Sequence, residues 1–107
     1  MFGTVYRMRP KAGMETAIEE LMRREEKERA MPAGLIAGYL FRSRSRPGEL
    51  IGVAVFDSEI SYRRNADDPE QGRWYRQLRD LLEADPEWND GDVLVALNEL
   101  STVMLGP

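Results

Sequence analysis

Three observations predict that this chain of 107 residues is an α+β protein, with strands and helices alternating as βαββαβ around an antiparallel sheet. Apolar residues recur at period two in Phe2 to Arg9, Leu35 to Ser43 and Leu50 to Phe56, the spacing of strands. They recur at helical spacing in Met14, Ala17, Ile18, Leu21 and Met22, and again in Trp74, Leu78, Leu81 and Leu82. The two central strands are also apolar on both faces. Leu35, Ala37, Tyr39 and Phe41 back onto Ile36, Gly38 and Leu40, while Gly52, Ala54 and Phe56 back onto Ile51, Val53 and Val55. A small antiparallel sheet usually wets one face, so helices are expected on one side and a second copy of the chain on the other.

Each element has its own start and stop. The first strand alternates Phe2, Thr4, Tyr6 and Met8 with Val5, Arg7 and Arg9, and it stops at Pro10, which has no amide hydrogen for a ladder. This is not a signal-peptide core, and a cytoplasmic location is expected. Lys11-Ala12-Gly13 turns the chain into the first helix. Every residue from Arg23 to Arg29 is charged, with Glu19 to Arg23, Glu20 to Arg24 and Glu25 to Arg29 in the favourable i,i+4 order, the mark of a solvated helix end. Pro32 and Gly34 end that helix, and the next two strands form a hairpin through Arg46-Pro47-Gly48-Glu49. Asp57 or Ser58 caps a short helix through about Asn65. Asp68 as N-cap, Pro69 at the first helical position and Gln71 at the third then start another. It stops before Pro86, and Asn89-Asp90-Gly91 is read as a turn into a last strand, Asp92 to about Val103, whose far end reaches across to the partner. This order is the split βαβ, ferredoxin-like pattern, and it occupies residues 1–107 as one domain.

The two sheet faces suggest where a site lies. Val5, Ile36, Leu40, Ile51, Val53 and Val55 form a smooth aliphatic surface, assigned to the dimer interface. Phe2, Tyr6, Tyr39, Phe41 and Phe56 mix with Ala37, Gly52 and Ala54 under the helices. That mixture either interdigitates into a solid core or leaves a pocket lined by Tyr6, Tyr39, Phe41 and Phe56. Asn65 and Trp74 flank the break between the last two helical segments, where a pocket mouth would open. Asn65 is read as either a helix C-terminal cap or a ligand contact. Trp74 belongs to the core stripe but carries an indole N–H that needs an acceptor. Trp88 is expected to pin the loop beside Pro86.

Absences narrow the chemistry. The chain has no cysteine and no histidine, which removes thiolate and Ser-His-Asp catalysis, histidine-ligated haem and nearly all zinc chemistry. No metal site, flavin or other cofactor is expected. The net charge of −4 leaves no footprint for nucleic acid, and Arg42, Arg44 and Arg46 read as the solvated end of a hairpin. No stretch approaches the roughly 18 apolar residues of a membrane span.

The chain resembles the dimeric α/β-barrel proteins, and within them the antibiotic-biosynthesis-monooxygenase-like group. The resemblance rests on the first strand running into Pro10-Lys11-Ala12-Gly13, the strand end Phe56-Asp57-Ser58, Tyr62 and Asn65 followed by Asp68-Pro69-Glu70-Gln71, and the closing Trp88-Asn89-Asp90-Gly91. It implies two ferredoxin-like subunits joining their sheets into a barrel, each with a pocket between sheet and helices. The group includes cofactor-independent oxygenases of polycyclic phenols or anthrones, and haem-degrading enzymes. The haem degraders use a first-strand asparagine, a tryptophan ending the third strand and a histidine; the matching positions here hold Tyr6 and Phe56, with no histidine, so haem degradation is not expected. The oxygenase likeness implies catalytic roles for Asn65 and Trp74, with Tyr62 or Tyr6 donating to a substrate anion. The alternative is a binding or regulatory module that uses the same pocket, or the barrel alone, without catalysis.

Overall fold

The computed structural model describes residues 1–28 and 31–97. Its elements are β1 (Phe2–Met8), α1 (Glu15–Glu28), β2 (Leu35–Arg42), β3 (Leu50–Phe56), α2 (Glu59–Ala66), α3 (Pro69–Asp80) and β4 (Glu87–Asp92). The strands form one antiparallel sheet in the order β2-β3-β1-β4, the ferredoxin-like topology, with the helix following β3 split into α2 and α3.

Local chemistry explains the boundaries. In the hairpin, the Glu49 amide donates to the Arg46 carbonyl at 3.1 Å, Pro47 supplies its fixed φ, and Gly48 takes a φ of 91° that a side chain would resist. The Ser58 hydroxyl caps α2 by accepting from the Ser61 amide at 3.1 Å. Asp68 caps α3 by accepting from the Glu70 amide at 2.8 Å, with Pro69 opening the helix.

The core lies between the sheet and the helices. Ile18 and Leu21 of α1 meet Trp74 and Leu78 of α3 and the following Leu82, above Tyr6, Met8 and Leu50 of the sheet. Burying such aliphatic side chains is worth about 1.5 to 3 kcal/mol each, which holds the helix pair on this face.

Register overturns part of the expected division of faces. Residues directly opposite in an antiparallel ladder share a face. Tyr6 lies opposite Gly52, and Gly52 opposite Leu40, so Leu40 faces the helices and packs against the core. Val5 lies opposite Val53, and Val53 opposite Tyr39; Arg7, Ile51 and Phe41 are aligned likewise. Tyr39 and Phe41 therefore belong to the outer face, 61% and 53% exposed, with their rings in edge contact at 6.5 Å. A register shift between Leu35 and Ala37 adds Ile36 to this exposed set. Alternation within a strand separates its two faces, but only the register decides which of them continues into the next strand.

The last strand also differs from expectation. Asn89-Asp90-Gly91 is not a turn but the middle of β4, paired along β1 from Phe2 opposite Asp92 to Arg7 opposite Glu87. Val93 to Leu97 are not part of a strand, although the Val93 amide still donates to the Met1 carbonyl at 3.0 Å. The expected continuation to Val103, like the Arg29 ion pair, falls outside the described residues.

Candidate functional site

A cleft of about 950 Å³ opens between the sheet and the helices. Thr4 and Tyr6 of β1, Ala54 and Phe56 of β3, and Leu40 of β2 contribute from the sheet. Tyr62 and Asn65 come from α2, Trp74 and Tyr75 from α3, and Met22 from α1. The fourth wall is β4, because pairing Tyr6 with Trp88 and Thr4 with Asp90 turns both of those β4 side chains toward the helices.

Glycine decides how Tyr6 lies. A Cβ on Gly52 would overlap the Tyr6 ring, so the ring rests directly on the bare backbone of β3. Its other neighbour is the Trp88 indole, 4.8 Å away between centroids, and Tyr75 extends the cluster at 6.1 Å from Trp88. Burial first, and the nearby Tyr62 second, push the Tyr6 hydroxyl up to about 12.

Tyr62 joins α2 to β4. Its hydroxyl donates to Asp90 Oδ1 at 3.0 Å, and its ring packs 5.2 Å from Phe2 and 5.6 Å from Phe56. Burial raises its pKa, and the hydrogen bond to Asp90 and the charge of that carboxylate raise it further. Both phenols therefore keep their protons at neutral pH. Trp74 is buried, and its Nε1 has no hydrogen-bond partner among the described residues. A buried donor of this kind costs about 1 to 3 kcal/mol until something accepts from it.

Asn65 is not a helix cap. It lies inside α2, whose C-cap is Asp67 with an ordinary helical φ of −87°, and Asn65 borders the cleft half-buried. Phe56 borders it as expected, whereas Phe41 does not and Tyr39 reaches it from a strand whose rings face outward. Both contributors from β4, Trp88 and Asp90, escaped the sequence reading. The signal was present as period-two spacing, hidden in a run of turn-forming residues. Among the described residues no group of three or more carboxylates could hold a metal ion, and no helix is long and apolar enough to cross a membrane.

No family model matches the sequence, and no curated protein matches it either. Solved structures do. The cofactor-independent oxygenase SnoaB from Streptomyces nogalater, solved as an asparagine-to-alanine mutant, superposes with a TM-score of 0.76 at 20% identity, over 92% of this chain and 97% of its own. A candidate antibiotic biosynthesis monooxygenase from Deinococcus radiodurans gives 0.76 at 14% identity over 92% and 97%. Another from Chloroflexus aurantiacus gives 0.74 at 16% over 91% and 96%. The fold is thus that of the antibiotic-biosynthesis-monooxygenase-like proteins, as the sequence resemblance implied.

Proposed function

We propose that this chain is a cofactor-independent monooxygenase of a small aromatic or polycyclic phenolic substrate, acting as a homodimer in the cytoplasm. The observation that carries the reading is the cleft: its size suits a ring system of two to four fused rings, its walls are aromatic, and Asn65 and Trp74 border it, with Trp74 Nε1 buried in the wall without an acceptor among the described residues. The fold shared with SnoaB supports the reaction class by analogy.

The chemistry asks little of the protein. An anthrone-like substrate that loses a proton becomes a carbanion rich enough to reduce dioxygen itself. Converting its methylene to a carbonyl releases four electrons, and O2 accepts all four, with one oxygen atom entering the product and the other leaving as water. The chain's part is to hold the ring against Trp88, Tyr6 and Phe56, to stabilise the anion through the Trp74 indole N–H and the Asn65 amide, and to keep solvent away. On the outer face, Val5, Ile51, Val53, Val55, Tyr39 and Phe41 form the surface on which the second copy docks.

A second reading, a binding module without turnover, draws support from the two tyrosines, neither of which is ionised at neutral pH. Oxygen uptake with a dihydroxyanthrone as probe separates the two. Uptake of one O2 per quinone formed, above the uncatalysed rate, supports the enzyme; binding without uptake supports the module, and neither removes the cleft as a site.

A further inference from the structure

A substrate carbanion requires a group to take the proton, and a chain without histidine has no imidazole to do it. The ionisable groups bordering the cleft are Glu19, Arg23, Glu25 and Glu26 on α1, the phenols Tyr6, Tyr39, Tyr62 and Tyr75, and Asp90 on β4. Glu19 is paired with Arg23 at 3.4 Å. Tyr6 is buried between Gly52 and Trp88 and holds its proton. Asp90 differs in being joined to a cleft phenol: it accepts the Tyr62 hydroxyl proton at 3.0 Å. Its place opposite Thr4 in the β1–β4 ladder fixes its side chain on the cleft side of the sheet.

Resting on the monooxygenase reading above, we infer that Asp90 is the terminal proton acceptor of the reaction and that Tyr62 carries the proton to it. The substrate C–H bond breaks and leaves its electron pair on carbon; the proton passes to the Tyr62 oxygen as the Tyr62 O–H proton passes to Asp90 Oδ1. The result is a carbanion, a neutral Tyr62 and a neutral Asp90. After O2 has added to carbon, the same pair runs in reverse and returns the proton to the outer peroxide oxygen, giving a hydroperoxide; the pair then takes the second hydrogen from that carbon, its electron pair forms the carbonyl as the O–O bond breaks, and the departing hydroxide takes up that proton and leaves as water. The substrate proton and the phenol proton move together, so no free tyrosinate is formed. Arg63, whose guanidinium lies 5.8 Å above the Tyr62 ring, offsets charge that builds on the phenol oxygen during transfer. Phe2 and Phe56 pack on the same ring and hold its direction without competing for the proton.

The test compares wild type, Asp90→Asn, Asp90→Glu and Tyr62→Phe with a dihydroxyanthrone, first without oxygen to follow the anion's absorbance and then with oxygen to follow turnover across pH. Binding of the probe, read from tryptophan quenching, should survive in every variant. Asp90→Asn should lose anion formation and turnover on the order of 100-fold, the usual share of a positioned base, and regain rate as rising pH lets hydroxide replace it. Asp90→Glu should keep most of the rate, and Tyr62→Phe should behave like Asp90→Asn. Wild-type anion formation in Asp90→Asn overturns this inference and leaves the monooxygenase reading standing. So does an equal, pH-independent loss in the asparagine and glutamate variants, which marks a structural role. A wild-type chain that neither binds nor ionises the probe overturns both.

Discussion

Replacing Gly52 with alanine tests the geometry on which the cleft depends. The new methyl group meets three ring carbons of Tyr6 at overlapping distance, and that ring is 7% exposed, held by Trp88 on its other side. It cannot swing aside as the end of a flexible chain would. Overpacking of this kind costs about 1 to 3 kcal/mol. Alanine returns about 0.5 to 1 kcal/mol through its lower backbone entropy in a strand. The net expectation is a loss of up to about 2.5 kcal/mol, read as a fall in Tm of about 4 to 8 °C for each kcal/mol, at fixed protein concentration. Near-ultraviolet circular dichroism should change with it, since Tyr6 and Trp88 must part. A Tyr6→Leu background supplies the control: there the alanine should cost little or stabilise, and the coupling isolates the ring contact. An equal cost in both backgrounds, or none in either, would refute the stacking of Tyr6 on bare backbone.

Three further outcomes follow from the same geometry. Val53→Asp places a charge between Val5 and Tyr39 on the outer face and should dissociate the proposed dimer, whose interface is expected in the roughly 2,000 to 5,000 Å² class; wild-type protein that sediments as a folded monomer at micromolar concentration contradicts it. Asn65→Ala should weaken dihydroxyanthrone binding by roughly tenfold, the worth of about one hydrogen bond, with little change in Tm, because α2 is capped at Asp67; lost stability with unchanged binding would take Asn65 out of the site. Tyr6 titrates near 12 in the folded chain and near 10 when unfolded, so its contribution is complete below pH 10 and is lost as pH rises toward 12. That loss is on the order of 2 to 3 kcal/mol, and a Tyr6→Phe variant that keeps the full alkaline decline would show that another group causes it.

The elements legible in the sequence were those whose signals are local. Ser58 and Asp68 cap the helices in which they were read, because a cap is a bond between neighbours, and Pro47-Gly48 makes its turn for the same reason. The helical stripes of Ile18 and Leu21, and of Trp74 and Leu78, are buried as their spacing implied. What could not be read locally was the relation between strands. Tyr39 and Phe41 look like companions of Phe56 by composition, yet the seven-residue gap between Phe41's end of β2 and the start of β3 sets a register that sends them to the opposite face. Leu40 makes the reverse exchange.

The misreading of β4 has a deeper cause, and it bears on the site. Asn89, Asp90, Gly91 and Asp92 have low strand propensity, and a strand that packed on a dry core would not be built from them. Here the inward positions of β4 face an open cleft. Trp88 supplies apolar surface where Tyr6 lies, and Asp90 supplies charge where the Tyr62 hydroxyl arrives. The outward Asn89 turns its amide back to the Val5 carbonyl at 3.2 Å, which ties the edge strand to β1 by a side chain as well as by the ladder. Strand pairing therefore overrides propensity, and the polarity that argued against a strand lies where β4 borders an open cleft and not a dry core.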